Sequence, residues 1–153
     1  MAARRKASVN KGRRTEGREP AIRTLMLPRD TNPLGSIFGG HILSLLDLAA
    51  TQHARTVSPR KYVTKVIREV DFIAPVFVGD VVSFYAETVG LGRTSITIRV
   101  DVESTRGLES LRSYQVTSAE VVMVAIDERG APVPLFDEKA PAPRRTRRRR
   151  PSV

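Results

Sequence analysis

The 153-residue chain has no cysteine, which excludes a disulfide scaffold, a thiol nucleophile and any Cys-ligated metal. Histidine occurs only at His41 and His53, too sparse for a His-rich zinc or iron site, so no metal is expected. No apolar run approaches the roughly 20 residues of a membrane span, and a soluble protein is expected. The first residues lack the apolar stretch of a secretory signal. Glu16, Glu19 and the missing amphipathic pattern argue against an organellar transit peptide, and together with the absence of cysteine this predicts a cytoplasmic protein. Aromatic residues make up 5% of the chain, and none lies in either terminal segment, where a nucleic-acid-binding tail would stack bases.

Positive charge is plentiful, with a formal net of +10, but it is unevenly placed. Residues 1–20 hold seven Lys/Arg against two Glu, and residues 141–153 hold six Arg and no acid. The stretch 21–140 carries 13 basic and 14 acidic side chains and is close to neutral. The basicity therefore belongs to the ends. Neither end has enough large apolar residues to offset its conformational entropy, so both are expected to be disordered. The reading is one domain over residues 21–136, flanked by a basic tail (1–20) and an Arg-rich tail (137–153). The tails read first as solvated basic segments, with loose attraction to polyanions as the alternative and no specificity for nucleic acid.

Within the body, residues 21–27 read as a short first strand ending at Pro28, followed by a turn-rich loop, RDTNPLGS. IFGGHILSLLDLAATQHA, residues 37–54, has helical length and composition after its two glycines. Ile42, Leu43, Leu45, Leu46, Leu48, Ala49 and Ala50 cover most of its circumference, which predicts a helix buried by a sheet. A narrow stripe of Gly40, Ser44, Asp47 and Thr51 escapes the apolar pattern. Asp47 thus falls mid-helix among apolar neighbours. It is either bonded to a nearby donor or kept for chemistry, and composition leaves both open. Strands are readable at 62–72, 80–90 and 112–127, and residues 94–103 alternate cleanly, with Ile96, Ile98, Val100 and Val102 on one face. The order predicts an α+β domain with a mainly antiparallel sheet.

RTLMLPRDTNPLGSIFGGHILSLLDLAA closely resembles the opening motif of hotdog-fold acyl-coenzyme A thioesterases, with Pro28, Asp30-Thr31-Asn32, Gly35, Phe38-Gly39-Gly40 and Asp47 in order. The later segment from Val70 to Ser104 is similar to the same family at Pro75, Gly79-Asp80 and Gly92-Arg93-Thr94-Ser95. The resemblance spans roughly residues 21–134. It implies a five-stranded antiparallel sheet wrapped around a long central helix. It also implies a homo-oligomer, at least a dimer and plausible as a trimer of dimers, with active sites at the dimer interface. Carried over by residue, the catalytic carboxylate is Asp47, the loop amide is Asn32 and the polarising backbone N–H is that of Gly40, with Gly39 beside it. Arg93, Thr94 and Ser95 match the segment that lines the coenzyme A channel, and Arg68 is a weaker candidate for the phosphates. Thr51 is a candidate to orient Asp47, and both histidines read as structural or exposed.

Gly40 and Asp47 are seven residues apart, about 10 Å along one helix, too far to hold one carbonyl together. This predicts a site built from the Asn32/Gly40 region of one protomer and Asp47 of its partner. The expected activity is hydrolysis of acyl-coenzyme A to free acid and coenzyme A, with no cofactor beyond the substrate's own coenzyme A. Asp47 acts either as general base on water or as nucleophile. Three other functions are weighed against it. A hotdog dehydratase would rely on a catalytic His, where this chain has Asp47. A non-catalytic acyl-coenzyme A sensor would bind without turnover. A tail-driven nucleic-acid binder would lose binding with its tails.

Overall fold

The computed structural model describes residues 17–107 and 112–138, Arg112 by its backbone alone. The expected disorder of residues 1–16 and 139–153, and the turn expected at 108–111, lie outside the described residues. The chain runs β1 (Ile22–Leu25), a 3-10 turn (Pro28–Asp30), α1 (Gly39–Val57), β2 (Lys61–Arg68), β3 (Val81–Leu91), β4 (Ser95–Arg106) and β5 (Arg112–Ile126). The strands form one antiparallel sheet in the order β1-β3-β4-β5-β2. The helix therefore carries the chain from one edge of the sheet to the other. A connection of that span, 19 residues or about 28 Å, has to lie across the sheet's inner face. This is the hotdog arrangement that the resemblance implies.

The strand expected at 62–72 stops at Arg68, because Glu69 adopts φ +55° and takes the chain out of the sheet. Residues 69–80 form instead a loop that returns over the start of α1. There Ile37 N–H donates to the Val76 carbonyl at 2.8 Å, and Ile73 N–H to that of Val116 at 2.9 Å. Gly79 sits at φ +87°, a conformation that favours glycine, and its N–H donates to the Met26 carbonyl.

The core lies between the helix and the alternating inner faces of β3, β4 and β5, and includes Phe84, Ile96, Ile98, Val100, Val102, Val121 and Met123. From the helix it takes Ile42, Leu46, Ala49, Ala50 and Ala54, one helical face at spacings of three and four. The near-complete burial expected of the helix is corrected here. Leu48 is 52% exposed and Ser44 is exposed, because a single sheet covers one side of a helix and nothing else in the described chain covers the other.

At both ends the body reaches past its expected bounds. Arg18, assigned by sequence to the basic tail, stacks over the Tyr85 ring at 5.6 Å and lies 3.8 Å from Asp101. Asp137 pairs with Arg60 at 2.6 Å. One polar group in the core is poorly served: Thr117 is buried, and its Oγ1 has no hydrogen-bond partner. Thr117→Val is expected to stabilise the protein by about 1 kcal/mol, raising the melting temperature by roughly 4 °C. A lower melting temperature in the valine variant would mean that a buried water satisfies the hydroxyl.

Candidate active site

The start of α1 presents its amides bare. No side chain caps the helix, and the first backbone bonds to its N-cap, Phe38, come from His41 N–H at 2.9 Å and Ile42 N–H at 3.4 Å. The N–H groups of Gly39 and Gly40 have no partner among the described residues, so two donors at the positive end of the helix dipole remain free for a ligand oxygen. A Cβ at position 40 would meet the Phe38 ring, which is 58% exposed and would have to turn aside. Asp30 steadies this end from below: its Oδ2 accepts Leu27 N–H at 2.9 Å, and its backbone carbonyl accepts Phe38 N–H at 2.9 Å. His41 Nε2 lies 3.6 Å from Asp30 Oδ1.

Asn32 organises the loop before the helix. Its Oδ1 accepts Leu34 N–H at 2.8 Å and Ser36 N–H at 3.3 Å, while its Nδ2 donates to Ser36 Oγ at 2.9 Å. The amide group thus has a turn-forming role, and one Nδ2 hydrogen is still uncommitted.

Asp47 lies two turns into α1, half-buried on the side turned to β2. Thr64 of β2 donates a short hydrogen bond from Oγ1 to Asp47 Oδ1. That contact fixes the carboxylate by one oxygen and leaves Oδ2 without a partner among the described residues. Thr64 sits beside a β-bulge, where Thr64 opposes Met123 and Val66 opposes Val122, so Lys65 is the extra residue. The expected helper is corrected at this point. The Thr51 hydroxyl donates to the Asp47 backbone carbonyl at 3.0 Å and lies 3.9 Å from Met123 Sδ, so it is spent on the helix rather than on the carboxylate. Sequence reasoning missed Thr64; its one signal is a hydroxyl at an inward position of an alternating strand, between Tyr62 and Val66.

Both histidines are engaged elsewhere. His53 Nε2 shares a hydrogen bond with Thr88 Oγ1 at 2.9 Å. Burial and then the Arg18 charge push its pKa below the usual imidazole range, against a smaller opposing pull from Glu87.

Arg93, Thr94 and Ser95 form the turn into β4, with Gly92 N–H donating to the Ser95 carbonyl at 2.8 Å. Ser95 is in register with Val124, and Val124 with Val63, the neighbour of Thr64. The turn therefore lies two strands, about 10 Å, from the row that holds Asp47. The Arg93 side chain is 71% exposed and 3.6 Å from Glu138, a loose surface pair that leaves the guanidinium largely free. Arg68 is exposed on the edge strand. Among the described residues no three His, Asp or Glu gather as metal ligands, and no helix is long and apolar enough to cross a membrane.

One chain thus brings Asp47 and Thr64 together at one place, and Asn32, Ser36, Gly39 and Gly40 at another, roughly 10 Å away along the helix. Comparison with known proteins agrees with the fold. Residues 34–110 match the thioesterase superfamily. The acyl-CoA thioester hydrolase YciA of Salmonella typhimurium is 38% identical over 119 residues, covering 76% of this chain and 90% of that protein. YciA of Escherichia coli K12 is 36% identical over 113 residues, covering 72% and 86%. Among solved structures, the hexameric hotdog fold thioesterase Cj0915 of Campylobacter jejuni superposes with a TM-score of 0.73 at 41% identity, over 77% of this chain and 90% of that one. The hexameric broad specificity acyl-coenzyme A thioesterase HI0827 does so with a TM-score of 0.73 at 36% identity, over 78% and 82%. In sequence, coverage and fold, this chain belongs to the hotdog thioesterase superfamily, in its acyl-coenzyme A thioester hydrolase branch.

Proposed function

We propose that the protein hydrolyses acyl-coenzyme A thioesters at a site shared by two protomers, with Asp47 of one and the Gly39-Gly40 amides of the other. The observation that carries this reading is Asp47 itself, a carboxylate anchored by Thr64 at one oxygen and without a partner at the other among the described residues, on the helix side turned to the edge strand β2. Leu48, next to it on the helix, is 52% exposed, and Val63, on the outer face of β2, is 46% exposed. Next to them β2 is an edge strand with an unpaired side. A second copy pairing along β2 would bury those side chains and bring its own helix start toward Asp47.

The chemistry follows from the groups. The free Oδ2 of Asp47 takes a proton from water, or attacks the thioester carbonyl to form a mixed anhydride that water then opens. In either route the carbonyl oxygen gains negative charge, which the Gly39 and Gly40 amides stabilise at the helix start. The coenzyme A thiolate is a good leaving group, so no strong general acid is required. The uncommitted Asn32 Nδ2 hydrogen is suited to holding the water or the carbonyl. Arg93, Thr94 and Ser95 bind the nucleotide end, where a solvated guanidinium pairs with phosphate. The assembly is a hexamer built as a trimer of dimers, a reading supported by two neighbours that are described as hexameric. The protein acts in the cytoplasm, where the charged esters stay in solution.

Free-thiol release from a panel of acyl-coenzyme A esters, short to long, tests the reading. Turnover of at least one class is expected. Tight binding of the esters with no thiol released from any of them would make the site a sensor and overturn it.

A further inference from the structure

We infer that Asp137 and Glu138, at the close of the body, compete with the substrate's phosphates for the guanidinium groups of Arg60 and Arg93 and so weaken substrate binding. The inference rests on the thioesterase reading and adds to it a competitor carried by the same chain.

Three segments meet at the end of the body away from the helix start. Past the end of α1 the chain runs through Ser58 and Arg60 into β2, and the turn from β3 into β4 carries Arg93. The third segment, from Val133 onward, is tied to both. Val133 N–H donates to the Ala125 carbonyl and Leu135 N–H to that of Arg93, each at 2.9 Å. The Ser58 hydroxyl donates to the Leu135 carbonyl, and the Leu135 side chain is buried. Asp137 and Glu138 follow directly on that anchor, which holds them beside the arginines at a roughly millimolar effective concentration.

Asp137 Oδ1 accepts a hydrogen bond from Arg60 Nη2 at 2.6 Å, and Glu138 Oε1 lies 3.6 Å from Arg93 Nε. No other carboxylate pairs with either guanidinium among the described residues. The two arginines and the two acids line one cavity of about 340 Å³, with Phe136 beside them. Guanidinium groups and an exposed aromatic ring around one cavity suit an anion that carries a base, the phosphorylated nucleotide of coenzyme A. The acid side chains are 94% and 77% exposed and swing aside without disturbing the body. The neighbouring pair of Lys61 and Glu128, at 2.6 Å, is built alike but lies outside this cavity.

Magnitudes decide how strong such competition is. An exposed ion pair shifts a population by at most about fivefold. A phosphate brings more charge than a carboxylate and bonds a guanidinium through two oxygens, so it displaces the acids when substrate arrives. Apparent affinity falls by the fraction of sites left open. The effect therefore falls on KM, and the chemistry at Asp47 stays as it is.

The test measures kcat and KM in the full-length protein for one acyl-coenzyme A ester and for the same acyl group on pantetheine, which lacks the nucleotide and its phosphates. Asp137→Asn/Glu138→Gln is expected to lower KM for the coenzyme A ester about threefold, with kcat and the pantetheine ester unchanged. Arg60→Gln, checked by thermal melting, is expected to raise that KM about fivefold or more. Glu128→Gln removes a nearby negative charge without touching the cavity, and its KM should stay at the wild-type value. A KM in the double variant within about 1.5-fold of wild type would overturn the competition. An equal fall in Glu128→Gln or with the pantetheine ester would overturn it too, since neither acts through this cavity. An unchanged KM in Arg60→Gln would take Arg60 out of the site. If that variant does not fold, the double variant decides, because both of its positions are exposed. No thiol release from either ester by the wild type would overturn the thioesterase reading as well.

Discussion

Asp47→Ala is expected to lower kcat for thioester hydrolysis about 10²-fold or more with the melting temperature nearly unchanged. That loss corresponds to about 3 kcal/mol of transition-state stabilisation, a reasonable share for one positioned acid–base or nucleophilic group. The side chain has one tertiary bond, to Thr64, so its removal disturbs little of the fold. Thr64→Val is expected to reduce kcat about tenfold, and Thr64→Ser to keep most of the activity, because only the hydroxyl is used. The shared site gives a second signature. Gly40→Val displaces the exposed Phe38 ring and sets a branched side chain beside the free amides, where it is expected to obstruct a ligand oxygen. Mixing Asp47→Ala protomers with Gly40→Val protomers should restore activity that neither variant has alone, since one of the two hybrid sites then has both parts intact. Activity in Asp47→Ala within about threefold of wild type would remove Asp47 from the chemistry.

The largest stability effect is expected at Asp80. Asp80 is 1% exposed and gathers a full set of donors. Arg106 bonds both carboxylate oxygens at 2.8 Å, Tyr114 and Ser104 donate to Oδ2 at 3.0 and 3.1 Å, and Phe77 N–H donates at 3.0 Å. The Arg106 guanidinium lies between the Phe77 and Tyr114 rings, 4.6 and 5.1 Å from their centroids. This knot ties the loop before β3 to the ends of β4 and β5, and that loop accepts Ile37 N–H at the Val76 carbonyl just ahead of the helix start. Asp80→Ala leaves these donors without an acceptor and is expected to cost roughly 3 kcal/mol, toward the lower end for a broken buried pair because Arg106 is half-exposed and regains water. The melting temperature should fall by roughly 10 °C at fixed protein concentration. A fall of less than about 2 °C would show that apolar packing alone holds the loop.

The same carboxylate sets an acid limit. Burial pushes its pKa upward, but the Arg106 hydrogen bonds, the Phe77 amide and the Tyr114 hydroxyl outweigh it and hold the value at about 2, against 3.8 ordinarily. Because the folded-state value is the lower one, this stabilisation is fully present above about pH 4. It is lost as the pH falls toward 2, where the carboxyl protonates in the folded protein as well. The loss is about 2 kcal/mol, measurable by denaturant unfolding at pH 5 and pH 2, and Asp80→Asn should abolish that part of the pH dependence.

Much of this protein could be read from local pattern. The alternation from Ile96 to Val102 placed a half-buried strand because side chains in a strand switch faces with every residue. The glycine pair ahead of an apolar run marked the helix start, and Asp47 stood out because a carboxylate among leucines is costly without a purpose. What local pattern misread was the far side of the helix. Leu45 and Leu48 are both apolar in sequence, yet Leu45 packs on the core and Leu48 faces water. Which apolar face is covered depends on how many layers surround the helix, a property of the assembled sheet.

Thr64 shows the same division at the site. It is 17 residues from Asp47, and only the pairing of β2 with β5, shifted by the bulge at Lys65, brings its hydroxyl to the carboxylate. Thr51, four residues from Asp47 and the natural choice by helical spacing, bonds a backbone carbonyl instead, because a hydroxyl in a helix reaches the preceding turn more easily than a side chain. The order of apolar, glycine and acidic residues by itself determined one helix and an antiparallel sheet and made Asp47 conspicuous, because periodicity and the cost of burying charge act within a few residues. The hotdog fold and the role of Asp47 came from the resemblance of whole motifs. The tertiary structure alone decided the carboxylate's partner, the exposure of the helix face at Ser44 and Leu48, and the loop that returns over the helix start. Those depend on contacts between segments distant in the chain, which no local spacing encodes.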